Sequence, residues 1–274
     1  MKIIQITDIH LTTPSQTILG HDPNINFTRA LEHIEENHAD AEAVVITGDL
    51  SDWGDKPDYE RLKSHIENFC VPIHLVIGNH DDRPNFLAVF PGTADKNGFV
   101  QKSFPILDGH GIIIDTWGPA SHAGHFCSQR ANWLDRQLSE FDGPVYLFMH
   151  HNPVPTHLKP ADQIMLLDVR HLEGAIVPHR EKIRHIFFGH CHRPIAGSFH
   201  GIPVSSIRGT NHAAWSDFNE KKMLLAADLP QSYGVIVVEG PSVTVHMVEF
   251  GYEGAVHVQG LPDYATWDRE EMMR

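Results

Sequence analysis

Apolar residues in this chain come in short runs that end on polar blocks. Lys2–Thr7, Ala43–Thr47, Ile73–Ile77, Val145–Met149 and Ile186–Phe188 are runs of this kind, and their length and β-branched content predict buried strands. Between them the apolar positions change to helical spacing. Phe27, Ala30, Leu31 and Ile34 predict a helix over 26–37. Tyr59, Leu62 and Ile66 predict one over 58–68, and Trp133, Leu134 and Leu138 one over 129–138. Pro178–Ile183 reads as a further short helix. The strand–helix–strand repeat of the first half predicts a largely parallel sheet whose chemistry sits at the carboxyl ends of its strands.

The second half reads as more strand. Gly98–Pro105 and Gly111–Thr116 form an expected strand pair. Pro194–Phe199 and Ile202–Ile207 form a hairpin across His200-Gly201, and Tyr233–Val238 and Val243–Phe250 another across Glu239-Gly240-Pro241. So many strands imply an α/β fold of two mixed sheets packed face to face, with helices outside. The expected organisation is one domain over 1–250 and an arm over 251–274 that covers the body or forms a dimer.

Composition narrows the function classes. At 274 residues, 41% hydrophobic and 20% charged, the chain can bury a full core. It has no apolar run long enough to cross a bilayer, so no membrane partner is expected and a cytoplasmic location is. The opening Met1–Asp8 turns polar too early for a signal peptide. A net charge of −14 argues against long nucleic acid as a partner but not against a small anion held by cations. Cys70, Cys127 and Cys191 have no metal-type spacing and fit a reducing compartment. Alternation along the chain turns Cys191 away from His190 and His192.

The polar blocks at the run ends carry the candidate chemistry. They are Asp8-Ile9-His10, Gly48-Asp49-Leu50-Ser51-Asp52, Gly78-Asn79-His80-Asp81, His150-His151 and Gly189-His190-Cys191-His192. Asp8 and His10, two apart on extended chain, face the same way. Gly48 lets the backbone turn tightly before Asp49. Carboxylate, amide and imidazole donors without thiolate suit Fe, Mn or Zn, and their convergence predicts a site for two metal ions.

In this order the blocks resemble the calcineurin-like metallophosphoesterase superfamily over about the first three quarters of the chain. Gly-Asn-His-Asp-Asp, His-His-Asn-Pro, the Trp133–Leu138 segment and Gly209-Thr210-Asn211-His212 are similar to its branch of bacterial class III cyclic nucleotide phosphodiesterases and glycerophosphodiesterases. The resemblance implies a four-layer sandwich and a cofactor of two metal ions. Asp8, His10, Asp49 and His192 would hold the first; Asp49, Asn79, His150 and His190 would hold the second. His80 would contact the phosphoryl oxygens or protonate the leaving group, Asp52 would orient His80, and His212 would line the substrate site. His151 is expected to support the site from behind. The implied reaction is hydrolysis of a small phosphodiester by an activated hydroxide. Phosphomonoester hydrolysis and a non-catalytic scaffold are the alternatives, and homo-oligomerisation stays open. Trp53, Arg83, His122, His125 and Trp215 are the loop residues expected to bear on substrate choice.

Overall fold

The computed structural model describes residues 1–119 and 121–257, so most of the expected C-terminal arm lies outside the described residues. The elements, in chain order, are β1 (Lys2–Ile6), α1 (Pro23–His38), β2 (Ala43–Thr47), α2 (Lys56–Ile66), β3 (Ile73–Val76), α3 (Arg83–Val89), β4 (Lys102–Ile106), β5 (Gly109–Ile113), α4 (Ser128–Glu140), β6 (Val145–Phe148), α5 (Lys159–Asp162), α6 (Arg170–Ile176), β7 (Ile183–Phe188), β8 (Ile195–Phe199), β9 (Ile202–Ser206), β10 (Ala213–Trp215), β11 (Leu225–Ala227), β12 (Tyr233–Glu239) and β13 (Ser242–Val248).

They form two mixed sheets, ordered β13-β12-β1-β2-β3 and β4-β5-β6-β7-β9-β8, with a small β10-β11 ribbon beside them. β1, β2 and β3 run parallel, as do β5, β6, β7 and β9; β12 closes on β1 antiparallel. The parallel strands all end on the same rim, and the polar blocks follow them there.

Period-two alternation sorts the strand side chains into layers. Ile4, Ile6, Val44 and Ile46 face outward and are covered by Phe27, Leu31 and Ile34 of α1, Tyr59 and Leu62 of α2 and Phe86 of α3. Val145, Leu147, Ile186 and Phe188 face the other way, under Leu134 and Leu138 of α4 and Leu172 and Ile176 of α6. The residues between, including Ile3, Val45, Val76, Ile113, Tyr146, Phe148 and Phe187, fill the space between the two sheets. Helices, sheet, sheet, helices: the four-layer α/β arrangement is present.

The helix expected over 178–183 is a correction. The chain is helical over Arg170–Ile176, makes one 3₁₀ turn over Val177–His179 and enters β7 at Ile183. Pro178 suits the start of a tight turn rather than a longer helix, and Leu172, Ala175 and Ile176 form the buried face. The strand expected from Gly98 begins only at Lys102, because Asp95 draws in Asn97 N, Phe99 N and Gln101 Nε2 and holds the preceding stretch as a turn.

Candidate metal centre

Each polar block leaves its strand through backbone held by its neighbour. The β1–β2 pairing continues past the strands: Asp8 N donates to Gly48 O at 3.1 Å, His10 N to Asp49 O at 2.9 Å and Leu11 N to Leu50 O at 3.0 Å. Asp81 ties this loop to the next. It accepts from Leu50 N, Ser51 N, Gly78 N and the Tyr59 hydroxyl, all within 3.2 Å. The sequence reading gave Asp81 no role, since an acidic residue after a strand looks like any other turn residue.

The backbone at these ends is unusual. Asp8, His10, Asp49, His190 and His192 all have positive φ, between 48° and 67°. Non-glycine residues adopt this left-handed conformation at a cost of about 1–3 kcal/mol each, and it concentrates at functional sites. Two glycines make the crowding possible. A Cβ on Gly78 would strike Asp49 Oδ1, and one on Gly48, whose φ is +99°, would strike the His150 ring.

The side chains then converge. The ring and carboxylate atoms of Asp8, His10, Asp49 and His192 lie within 4.8 Å of one another. Asp49 Oδ2 is 3.6 Å from His10 Nε2, and Asp49 Oδ1 is 3.3 Å from His150 Nε2, so one carboxylate faces both halves of the cluster. His192 Nε2 is 3.4 Å from Asp8 Oδ1. Asn79 Oδ1 is 3.1 Å from His150 Nε2, and His190 joins His150 and His151 in a second group.

The donor chemistry fits cations in both halves. The Nδ1 atoms are spent on acceptors: His10 on Asp52 Oδ1 at 3.0 Å, His150 on Thr47 O at 2.8 Å and His192 on His212 O at 3.2 Å. In the neutral ring this leaves Nε2 as a bare lone pair. His10 Nε2 and His192 Nε2 nevertheless face each other at 3.2 Å, and His190 Nε2 is buried without a hydrogen-bond partner among the described residues. Lone pairs turned on one another repel unless a cation lies between them.

Burial and crowding also spread the proton affinities. Burial pushes the Asp8 carboxyl up to about 6. His150 is raised to about 9 against its burial, by Asp49 and Asp8. Burial, with His10 beside it, pushes His192 down to about 3, and burial with His151 and His150 beside it holds His190 well below the usual histidine range.

Asp52 lies between two histidines. Its carboxylate bonds His10, not His80; His80 Nδ1 instead sits 2.9 Å from the Asp52 carbonyl and 3.6 Å from Oδ1. The cause is register. Asp52 N is bonded to Leu11 O, which lays its side chain under the first block. His80 remains a third exposed on its side chain and faces the cavity. His151 is engaged at both ring nitrogens, by the Thr116 hydroxyl and the His122 carbonyl.

A cavity of about 570 Å³ opens over the cluster. Its floor is the histidine and aspartate set with His212, whose ring lies 4.2 Å from that of His192. His122 stands at the rim, where the Asn79 amide donates to its Nδ1 at 2.9 Å. This bond takes up the NH₂ group and turns the oxygen of Asn79 toward His150. The opposite wall is apolar: Ile18, Leu19, Ile164, Leu224, Leu225 and Ala226. Of the other loop residues, Trp53 and His125 are not in the lining, Trp215 lies on a neighbouring groove, and Arg83 is turned away in a two-point ion pair with Asp115 at 2.9 Å.

Paired histidine–aspartate clusters at the carboxyl ends of two facing sheets, joined by one carboxylate, are consistent with the binuclear metal site of a metallophosphoesterase. Over residues 1–194 the chain matches the calcineurin-like phosphoesterase family, and it belongs to that family. It is 34% identical, over 93% of its length and 94% of the relative's, to a Rhodopseudomonas palustris protein named a probable cyclic nucleotide phosphodiesterase. It is 25% identical, over 90% and 88%, to an Arcobacter nitrofigilis protein named a probable glycerophosphodiester phosphodiesterase. Its fold is shared with a dimetal phosphatase from Danio rerio, at a TM-score of 0.64 and 13% identity, over 91% of this chain and 98% of that one. Among the described residues no helix is long and apolar enough to cross a membrane.

Proposed function

We propose that this chain hydrolyses small phosphodiesters, and cyclic nucleotides in particular. The observation that carries the reading is the double cluster around Asp49 opening into a cavity with an apolar far wall. Asp8, His10, Asp49 and His192 would hold one cation and Asp49, Asn79, His150 and His190 the other. Bound there, two cations supply Lewis-acid stabilisation of the phosphoryl oxygens and a lowered pKa for attacking water.

The chain's own residues do the rest. Asp52, Thr47 O and His212 O hold His10, His150 and His192 with Nε2 inward. His80, fixed through Nδ1, presents Nε2 to the cavity, where it hydrogen-bonds a phosphoryl oxygen or, when charged, hands its proton to the departing alkoxide. His212 flanks the ester beside His192. Among the described residues the lining contains no lysine and Arg193 as its single arginine. That poverty of fixed cations suits a singly charged diester better than a doubly charged monoester.

The apolar wall favours a base over a glycerol. Ile18, Leu19, Ile164, Leu224 and Leu225 carry no side-chain hydrogen-bonding groups, so glycerol hydroxyls would be desolvated there without partners, whereas the face of a base packs. The volume falls within the roughly 300–1,000 Å³ of small-ligand sites. The test is turnover of bis(p-nitrophenyl) phosphate against p-nitrophenyl phosphate, and of cyclic AMP against glycerophosphoethanolamine, with Mn²⁺ supplied. Preference for the monoester sinks the diester reading; preference for the glycerophosphodiester sinks the nucleotide one.

A further inference from the structure

The cavity contains one charged group that the chemistry above leaves unused. Arg193 follows the last proposed ligand, lines both the cavity and the groove beside it, and is only 7% exposed. Its guanidinium makes no hydrogen bond and no ion pair with any described residue, and its Nε is buried without a partner. Arg130 and Arg208 also have a buried Nε without a partner, but their terminal nitrogens are engaged. Arg130 bonds three carbonyls and Arg208 bonds Pro230 O and Glu249. The carboxylate that bears on Arg193 most, Asp162, has both oxygens committed to the Thr156 hydroxyl and to Thr156 N and His157 N.

A guanidinium held in a residue only 7% exposed, with no acceptor for its buried Nε, is costly. The backbone nevertheless holds it in place. Arg193 O accepts from the Ser206 hydroxyl at 2.8 Å, and His192 O accepts from Ala214 N at 2.9 Å. Ala161, Leu224 and Leu225 wall the same side. A fixed fork of donors at the edge of an apolar slot matches a planar group with two acceptors side by side.

We propose that Arg193 is a specificity-determining residue that pairs with a two-acceptor edge on the organic part of the ester, and therefore that the site prefers purines carrying O6 beside N7. The inference rests on the cyclic-nucleotide reading. Guanine and hypoxanthine present O6 and N7, two acceptors, to a guanidinium. Adenine presents N7 beside the N6 amino donor, which opposes it. The apolar wall supports the face of the base, and Arg193 reads its edge.

The test measures kcat/KM for cyclic GMP, cyclic IMP and cyclic AMP with the wild type and with Arg193→Met, which keeps length and removes the donors. A bidentate contact of this kind discriminates by about tenfold. The expected result is that cyclic GMP and cyclic IMP exceed cyclic AMP by about that factor, chiefly through KM, and that the ratio collapses toward one in Arg193→Met. Cyclic IMP excludes a contact to the guanine amino group as the cause. Arg193→Lys, a point charge without the fork, recovers less than half of the ratio. Equal use of the three nucleotides by the wild type overturns the inference, as does a preference that survives Arg193→Met or an equal loss on all three together with bis(p-nitrophenyl) phosphate. Turnover of bis(p-nitrophenyl) phosphate with none of the cyclic nucleotides overturns the nucleotide reading and takes this inference with it.

Discussion

The floor and the far wall of the cavity face the same ligand and are built in opposite ways. On and just beneath the floor, Asp8, His10, Asp49 and His150 are at most 2% exposed, and each is aimed by a hydrogen bond shared with a neighbouring element. On the wall, Leu19 and Leu224 are each 59% exposed and ride on a loop and on the approach to a two-stranded ribbon. The contrast follows from what each must do. Cation ligands act only within tenths of an ångström, so the rings of His10, His150 and His192 are locked through Nδ1 and backbone strain is tolerated at the strand ends. An apolar wall acts by excluding water, which depends on area and little on angle.

Substitutions can test how far this difference extends. The largest effect is expected at Asp49, which faces both halves of the cluster. Asp49→Ala should lose both cations by elemental analysis and all diester turnover above background; a variant that keeps two cations would break the idea of a shared carboxylate. Next is His80. His80→Ala should retain both cations and lose roughly 10²–10⁴ in rate, with the greater loss on an alkoxide leaving group than on a phenolate. Equal losses on the two leaving groups would leave His80 as a phosphoryl contact alone.

A smaller effect is expected at the rim. His122→Phe removes the acceptor that holds the Asn79 amide, freeing it to turn its NH₂ toward His150. Titration calorimetry should show the second cation weakened by about 10–100-fold and the first unchanged, with His122→Gln restoring affinity. Equal weakening of both would make His122 a general support rather than an orienting one. The smallest effect is expected on the wall. Leu224→Ser should raise KM for cyclic AMP several-fold, on the order of 1 kcal/mol of lost apolar contact, while cation content stays that of the wild type. A change in cation content there would show that the wall and the floor are one mechanical unit.

Much of the site could be read in the sequence because strand ends are legible. Asp8-Ile9-His10, Gly48-Asp49 and Gly189-His190-Cys191-His192 each close an apolar run, and a parallel sheet sends such ends to one rim. Side-chain partnerships across the rim were not legible. The resemblance implies that Asp52 orients His80, and its carbonyl does lie 2.9 Å from His80 Nδ1, but nothing in the sequence showed that the Asp52 N–Leu11 O bond would set its carboxylate on His10. Asp81 reads as a turn and is the clasp between two loops. Arg83 reads as a loop residue bearing on substrate choice and is held by Asp115, 32 residues away. In each case a residue type with several ordinary uses was assigned by a partner distant in sequence.

The sequence alone determined the class of architecture and which polar residue types gather at the strand ends. Both follow from local properties: the period of the apolar pattern and the residue types that end each run. Only the tertiary structure decided which nitrogen of each histidine faces inward, which carboxylate lies between the two halves, and that Arg193 lines the cavity with its Nε buried and unpartnered. Those properties come from contacts between segments far apart along the chain, such as His10 with His192 and Asn79 with His150, and no local pattern encodes a distance across the rim of two packed sheets.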